Sequence, residues 1–367
     1  MANRRIFLTG YPGFIGRWQV RSILAADPDV ELTFLVQEKF MDRALEDIAA
    51  MYEEGKVSCG NLRAVAGDVT SPVLGLYTQE YESIATWATE VWHLAGAFDL
   101  NVTEGLARKV NYWGTRHVVN FCNACTNLSF LVHFSSVVVH AERESLITED
   151  ELDAGQELNN NYFMTKFWGE MEVRRAMEQG LPAIIIRPAG VLGDSRTGET
   201  DKFDNIYILF RVIRVLEMLK IPPMYLGTAK VRPNFIPVDF MVDSVTAITG
   251  KPGAVGKCFH VVDPDPPLFS EIIDEIWGII GGKHPKITIP TRVTDFLAIQ
   301  MPWIFRIMGV PPDSMTYLNH VGIFDDSNTR EMLEGSGITC PRIQDYYPTL
   351  YAWWLENRKR EGMQQKM

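Results

Sequence analysis

Tyr162 and Lys166 stand four residues apart, and Ser136 ends an apolar run upstream of them. A phenol with a pKa near ~10 is a weak acid–base group at neutral pH, unless a cation such as an ammonium one helical turn away lowers it. A hydroxyl such as that of Ser136 can then hold a carbonyl or alkoxide oxygen. Near the N-terminus, Thr9-Gly10-Tyr11-Pro12-Gly13-Phe14-Ile15-Gly16 follows the apolar run Ile6-Phe7-Leu8. Glycines in such a turn let the backbone approach a pyrophosphate and leave amide N–H groups facing it at a helix N-terminus. Together the two constellations point to dinucleotide binding and to hydride transfer to or from a carbon–oxygen bond.

The stretch Val36-Gln37-Glu38-Lys39, at the end of the second predicted strand, bears on which dinucleotide is bound. A site for NAD usually places an acidic residue there to hold the ribose 2′-hydroxyl. Gln37 is neutral, Arg17 abuts the glycine turn, and Lys39 and Arg43 lie just beyond the strand. These residues favour NADP(H) over NAD(H). In the alternative, the three cations are solvated surface charges and Glu38 supplies the carboxylate.

The elements that must position these residues form a regular series. Short β-branched runs alternate with longer helical patterns, the signature of βαβ units and a parallel sheet. Strands are expected at Ile6–Thr9, Leu32–Val36, Leu62–Ala66, Glu90–Leu94, Phe130–Ser135 and Ala183–Arg187, with helices starting near Phe14, Phe40, Gly105 and Tyr162. A helix through Tyr162, Lys166, Glu170 and Val173 puts the Tyr–Lys pair on one face. The fold class is therefore α/β, a doubly wound parallel sheet whose ligand crevice lies at the carboxyl ends of its strands.

After Pro188 the pattern loosens into a polar loop over Gly193–Asp204, an amphipathic helix over Asn205–Leu219, a short strand over Val231–Asp239 and a helix over Asp239–Thr249. A terminal helix is expected near Tyr347–Arg360. Residues 1–190 would form the dinucleotide-binding domain, with 231–262 returning to it, while 191–230 and 263–367 would form a smaller C-terminal substrate lobe. The apolar stretch Phe296–Met308 could roof a lipid-like substrate, rest on a membrane surface, or pack within that lobe.

With 46% apolar and 22% charged residues among 367, the composition is that of an ordinary soluble globular protein. A net charge of -11 argues against a general nucleic-acid surface. No run of eighteen apolar residues is present to span a membrane. Arg4-Arg5 before apolar residues resembles an export signal, but the glycine turn interrupts the apolar run too early. Five cysteines do not make a disulfide framework and fit a reducing cytoplasm. Cys122 and Cys125 form a CxxC that reads as a helix end against a sheet, and no bound metal is expected. Oligomeric state is left open.

Beyond these residue-level readings, the chain resembles an extended short-chain dehydrogenase/reductase, and within that group the thioester-reductase and fatty acyl-CoA reductase branch. The likeness runs from Arg5 to about Trp354. It is carried by the glycine turn, Gly67-Asp68-Val69-Thr70, His93-Leu94-Ala95-Gly96-Ala97, Asn111-Tyr112-Trp113-Gly114-Thr115, Ser135-Ser136, and Tyr162-Phe163-Met164-Thr165-Lys166 followed by Glu170. Its most branch-specific stretch is Arg187-Pro188-Ala189-Gly190-Val191-Leu192-Gly193-Asp194-Ser195-Arg196-Thr197-Gly198, and Pro237-Val238-Asp239 is similar to a late returning strand.

The resemblance implies that Asp68 and Val69 contact the adenine and that Leu94, Ala95 and Gly96 line the cofactor's path. It also implies that Lys166 holds the nicotinamide ribose and that Pro188, Ala189, Gly190 and Val191 border the nicotinamide. Asp68 reads either as that cofactor contact or as a turn cap, and Asn111 either as a cofactor-site residue or as a helix-surface amide. Ser136 stands where the branch often has threonine, and Gln37 where many NADP-using relatives have arginine. The implied activity is reduction of an acyl thioester, aldehyde or ketone on a sizeable apolar group, free or linked to coenzyme A or a carrier, by a Ser136–Tyr162–Lys166 triad. A nucleotide-sugar epimerase or dehydratase of the same fold, and a dinucleotide-sensing protein without turnover, are the alternatives.

Overall fold

The computed structural model describes residues 4–55, 60–98, 102–141, 143, 145–226, 231–289 and 322–359. Seven parallel strands form the central sheet: β1 (Arg5–Thr9), β2 (Glu31–Val36), β3 (Leu62–Ala66), β4 (Glu90–His93), β5 (Phe130–Phe134), β6 (Ala183–Pro188) and β7 (Cys258–Val261). Their spatial order is β7-β6-β5-β4-β1-β2-β3. Consecutive strands β1 to β3 grow in one direction and β4 to β7 in the other, so the order reverses between β1 and β4. The crevice that opens outside the carboxyl ends at such a reversal is where ligands bind in this kind of sheet.

The strands are almost wholly apolar because helices cover both faces. Side chains alternate between the two layers. Ile6, Leu8, Ile184 and Ile186 pack on one face, with Val20, Ile23, Ile48, Met51, Met241 and Val245 of the covering helices. Phe7, Ala183 and Ile185 pack on the other, with Ile84, Val118, Phe121 and Val173. Cys122 is buried in that second layer at the end of helix Thr115–Ala124, where burial pushes its thiol well above its ordinary range; Cys125 is pushed up to about 12.

Six of the seven strands stand at the expected places, within a residue at either end. The seventh, Cys258–Val261, lies in none of the expected segments. Of the expected strand Val231–Asp239, only Phe235–Pro237 is extended, and it pairs with Gly190–Leu192 rather than with the central sheet. The chain returns to the main body through helix Val238–Thr249, where Thr246 Oγ1 accepts from Gln19 Nε2 at 2.8 Å, and through β7.

A second core lies under helices Ile206–Met218, Phe269–Gly281 and Ile343–Asn357, and is built largely from Phe203, Tyr207, Phe210, Trp277, Tyr347 and Trp354. The last helix starts a turn before the expected Tyr347. Burial of Ile343, Tyr346 and Tyr347 in the aromatic core extends it backwards, leaving Pro348 inside. Helix Ser327–Leu333 departs from the expected 263–367 lobe. Its Met332 packs into the main core, and the Asn328 and Thr329 amides donate to the Glu149 carboxylate. The stretch Phe296–Met308 lies outside the described residues. No helix among the described residues is long and apolar enough to cross a membrane.

Candidate active site

The glycine turn sits between β1 and helix Phe14–Ala26, and sterics fix its three glycines. A Cβ on Gly10, whose φ is +94°, would lie 2.7 Å from the Ala95 nitrogen and the Leu94 carbonyl carbon. On Gly13 or Gly16 it would lie 2.8 or 2.6 Å from the Gly10 oxygen. The turn is thus folded tightly on itself and against the segment after β4, at the reversal of strand order. Thr9 ties the two sides: its Oγ1 pairs with His93 Nδ1 at 2.8 Å and accepts from the Ala95 amide at 3.3 Å. Phe14, Ile15, Gly16 and Arg17 form the first helical turn. A glycine turn that opens a helix N-terminus is where backbone amides can meet a pyrophosphate, so the residues present fit a dinucleotide.

Leu94, Ala95 and Gly96 continue from β4 along the cleft. A Cβ on Gly96 would fall 3.2 Å from Lys166 Nζ and 3.5 Å from Asn111 Oδ1, so this backbone runs directly over both side chains. Asn111 is buried in a wide π-helical turn, Arg108–Gly114, of a kind often found at functional sites. It accepts from the Ala97 amide at 2.8 Å and donates to Thr165 Oγ1 at 3.1 Å. It is therefore no surface amide. Gly169 lets the two helices meet, since a Cβ there would come 2.5 Å from the Asn111 oxygen.

Ser136, Tyr162 and Lys166 converge from β5 and helix Asn161–Glu178. Asn160 caps that helix by accepting from the Tyr162 amide at 2.8 Å. Ser136 ends the strand segment and caps the turn Val137–His140. Ser136 Oγ accepts from the Val138 amide at 3.4 Å, and its hydroxyl lies near enough to the Tyr162 phenol to favour the phenolate. Tyr162 is buried in an apolar wall with Val102, Val138, Ala141 and Phe163, and its ring meets that of Phe98 edge-on at 5.2 Å.

Burial pushes the phenol above its ordinary pKa, and the neighbouring Ser136 hydroxyl pulls it back only in part. In this state the phenol is not lowered by Lys166, contrary to the expectation from spacing. Lys166 Nζ instead donates to the Phe134 carbonyl at 2.8 Å. Burial pushes Lys166 down to about 8, with Glu170 opposing the fall.

A buried polar network, which spacing did not reveal, supports the trio from behind. Glu170, one turn beyond Lys166, accepts from Ser135 Oγ at 2.6 Å and from Arg187 Nη2 at 2.6 Å. Arg187 in β6 is fully buried and also reaches the Nε2 atoms of His140 (2.8 Å) and His260 (3.1 Å) and the Glu151 carbonyl (2.8 Å). Its residue type and place in an otherwise apolar strand were the only available signal. Beyond it, Pro188, Ala189, Gly190 and Val191 carry the chain over the edge of the cleft. A Cβ on Gly190 would collide with the Phe235 ring at 2.6 Å.

At the far end of the cleft, Asp68 accepts from the Thr70 amide at 2.8 Å and from Gln37 Nε2 at 2.9 Å, which fixes the segment leading to the buried Val69. Gln37 is thereby tied to Asp68. Lys39 lies over the Phe40 ring, 4.8 Å from its centroid, and Glu38 is exposed. Arg17 and Arg43 converge on Asp201, a residue that sequence spacing did not single out because it is 184 and 158 positions away. Among the described residues no group of three or more His, Cys, Asp or Glu side chains is arranged to hold a metal ion.

Comparison with known proteins adds to this geometry. A family model described as male sterility protein matches residues 8–245. The aldehyde reductase lnbA of Aspergillus flavus is 26% identical over 322 residues, which cover 84% of this chain and 30% of that protein. The non-canonical nonribosomal peptide synthetase FrzA of Cladobotryum sp is 27% identical over 278 residues, 71% of this chain and 26% of that protein. The chain thus spans less than a third of the length of these two relatives. In fold it is similar to the terminal R domain from the myxalamid PKS-NRPS biosynthetic pathway, with a TM-score of 0.82 at 22% identity, covering 99% of this chain and 93% of that one. A thiolation-reductase di-domain from an archaeal non-ribosomal peptide synthetase superposes with a TM-score of 0.76 at 16% identity, covering 98% and 76%.

Proposed function

Because the chain belongs to the male sterility protein family, a thioester-reductase-like branch of the extended short-chain dehydrogenases/reductases, we propose that it reduces the carbonyl of an acyl thioester, aldehyde or ketone carried on a large apolar group, with NADP(H) favoured over NAD(H). The observation that carries this reading is the convergence of buried Ser136, Tyr162 and Lys166, with Gly96 over the Lys166 ammonium, beside a glycine cradle at the reversal of strand order.

In this mechanism Thr9, Gly10, Gly13, Phe14, Ile15 and Gly16 hold the pyrophosphate end, Gln37, Lys39, Asp68 and Val69 the adenosine end, and Arg17 and Arg43 the 2′-phosphate. Leu94, Ala95, Gly96 and Asn111 line the path between them, and Pro188 to Val191 border the nicotinamide. When bound, the nicotinamide supplies the hydride. Ser136 positions the carbonyl oxygen and Tyr162 delivers the proton to it as the carbonyl carbon is reduced. Lys166, held by the Phe134 carbonyl, orients the ribose. The apolar wall of Val102, Val138 and Phe163 excludes water from the proton-transfer path and suits an apolar acyl group. The aromatic second core would be the substrate lobe. A carrier- or coenzyme A-linked substrate and a cytoplasmic setting complete the reading. The name of the di-domain structure and the free Cys122, Cys125, Cys258 and Cys340 support them.

A cofactor-oxidation screen tests the proposal: NADPH and NADH against long-chain acyl-CoAs, aldehydes, ketones and nucleotide sugars. Oxidation dependent on an acyl or carbonyl substrate is expected. Conversion of a nucleotide sugar without net cofactor oxidation, read by product analysis, together with no oxidation on any acyl or carbonyl substrate, would overturn it in favour of an epimerase or dehydratase.

A further inference from the structure

Asp201 lies in the loop between strand Gly190–Leu192 and helix Ile206–Met218. Its two carboxylate oxygens accept from Arg17 Nη2 at 2.6 and 2.7 Å, and Oδ2 also accepts from Arg43 Nη2 at 2.9 Å. One oxygen is thus shared by two guanidinium groups. This is the arrangement that a phosphate oxygen demands, and arginine forks suit it well. The two arginines come from the helix after the glycine turn and the helix after β2, the elements that flank the adenosine ribose in this fold. Both ends of the pair are largely sheltered, with side-chain exposures of 15% for Arg17 and 20% for Asp201.

The carboxylate is not what holds its own loop in place. Ser195 is fixed by its amide and hydroxyl to the Asp239 carboxylate at 3.0 and 2.6 Å. Asp194 Oδ1 accepts from the Arg196 and Thr197 amides and from Thr197 Oγ1. Two residues past Asp201, Phe203 is buried in the aromatic core. Anchored on both sides, the loop can keep its course while the Asp201 side chain turns away.

We propose that Asp201 is a built-in competitor for the 2′-phosphate of the cofactor, and so a residue that sets the degree of preference for the phosphorylated dinucleotide; this rests on the reading of Arg17 and Arg43 as 2′-phosphate ligands. A phosphate monoester, carrying close to two negative charges and three acceptor oxygens, outcompetes a single carboxylate for two guanidinium groups. A 2′-hydroxyl has no charge with which to displace it. Asp201 therefore lowers the affinity for NADPH below what the arginines alone would give and leaves NADH almost untouched. The displaced carboxylate neighbours Lys202, whose ammonium lies 5.6 Å from the centre of the Phe98 ring, which in turn meets Tyr162. Cofactor phosphate and the wall of the substrate site thus share one loop.

The test is fluorescence titration of the parent protein, Asp201→Asn and Arg43→Ala with NADPH and with NADH. A thermal melt without cofactor checks that each variant folds, and Asp201→Ser stands in if Asp201→Asn does not. Asp201→Asn should bind NADPH about tenfold more tightly, a gain of about 1.4 kcal/mol, while NADH affinity changes by less than about twofold. Arg43→Ala should weaken NADPH alone. If Arg43→Ala weakens NADPH but Asp201→Asn leaves it unchanged or weaker, the competitor role is overturned and the 2′-phosphate site stands. If neither variant alters NADPH affinity, the reading of the arginines falls as well.

Discussion

Lys166→Met removes a charge that the folded protein holds at a cost, and its signature is a change in how stability depends on pH. Methionine keeps the length and apolar stem of lysine but cannot take up a proton. Burial pushes Lys166 from 10.5 down to about 8 in the folded chain, against the partial help of Glu170. In the unfolded chain it titrates at its ordinary value. Between those two values the unfolded state binds more protons than the folded one, so the stability of the parent rises with pH through that window. The contribution is complete above 10.5 and lost as pH falls through about 8.

At about 1.4 kcal/mol per pH unit, the depression amounts to roughly 3 kcal/mol. Other groups titrate in the same range, Cys125 and Cys258 among them. The quantity to follow is therefore the difference between parent and variant. Denaturant unfolding of the cofactor-free protein, run at a series of pH values, should show that the parent gains roughly 3 kcal/mol relative to Lys166→Met across the window, with a flat difference below it. Parallel stability curves for the two proteins would show that the ammonium is not desolvated in the fold, and the placement of Lys166 against Phe134 and Gly96 would lose its energetic meaning.

Tyr162→Phe keeps the ring against Phe98 and removes the proton donor; single-turnover cofactor oxidation should slow at least about a hundredfold with cofactor affinity nearly unchanged, and slowing of less than about threefold would remove Tyr162 from the chemistry. Gly10→Ala forces a Cβ to 2.7 Å from the Ala95 nitrogen; titration should find cofactor binding abolished, and an unchanged dissociation constant would contradict the cradle. Glu170→Gln leaves the Arg187 guanidinium buried without its counter-charge; chemical denaturation should show a loss of about 3 kcal/mol, and a loss under about 1 kcal/mol would mean that other acceptors suffice.

The sheet was legible because its strands are buried on both faces and so read as unbroken apolar runs, Ile184-Ile185-Ile186 most clearly. Cys258-Phe259-His260-Val261 escaped notice because His260 belongs to the polar network and interrupts that signal. Strand Val231–Asp239 is shorter than its apolar residues suggest: Phe235–Pro237 pairs with Gly190–Leu192, Phe235 turns to the second core, and Ile236 and Val238 join the main core without entering the central sheet. The Tyr162–Lys166 spacing and the glycine turn are local patterns, which a linear reading can detect. Asp201, by contrast, gains meaning only when a loop brings it to Arg17 and Arg43, and nothing about an aspartate in a polar loop reports such a meeting. The same holds for Phe98, whose position beside the phenol depends on the path of the chain after β4. The expected lowering of the phenol by Lys166 failed because spacing along a helix gives proximity but not direction, and the ammonium turns to the Phe134 carbonyl.

The Arg187 guanidinium has a consequence for how this protein comes apart. Its partners come from the turn after β5, the segment near Glu149 and Glu151, the helix of Glu170 and the strand of His260, and through Glu149 the network reaches Asn328 and Thr329. His140 and His260 stay neutral beside it, pushed down to about 2 and about 3, chiefly by burial and then by the guanidinium itself, which leaves their Nε2 atoms free to accept from it. Withdrawal of the Glu170 helix would leave the cation without its paired carboxylate in the interior, and withdrawal of any other segment would cost it a hydrogen-bond partner. The turn of His140, the segment of Glu149 and Glu151, the helix of Glu170, the strand of His260 and the helix of Thr329 are therefore coupled: opening of one weakens the hold on the others, and local opening is easiest in the elements that this charge does not touch.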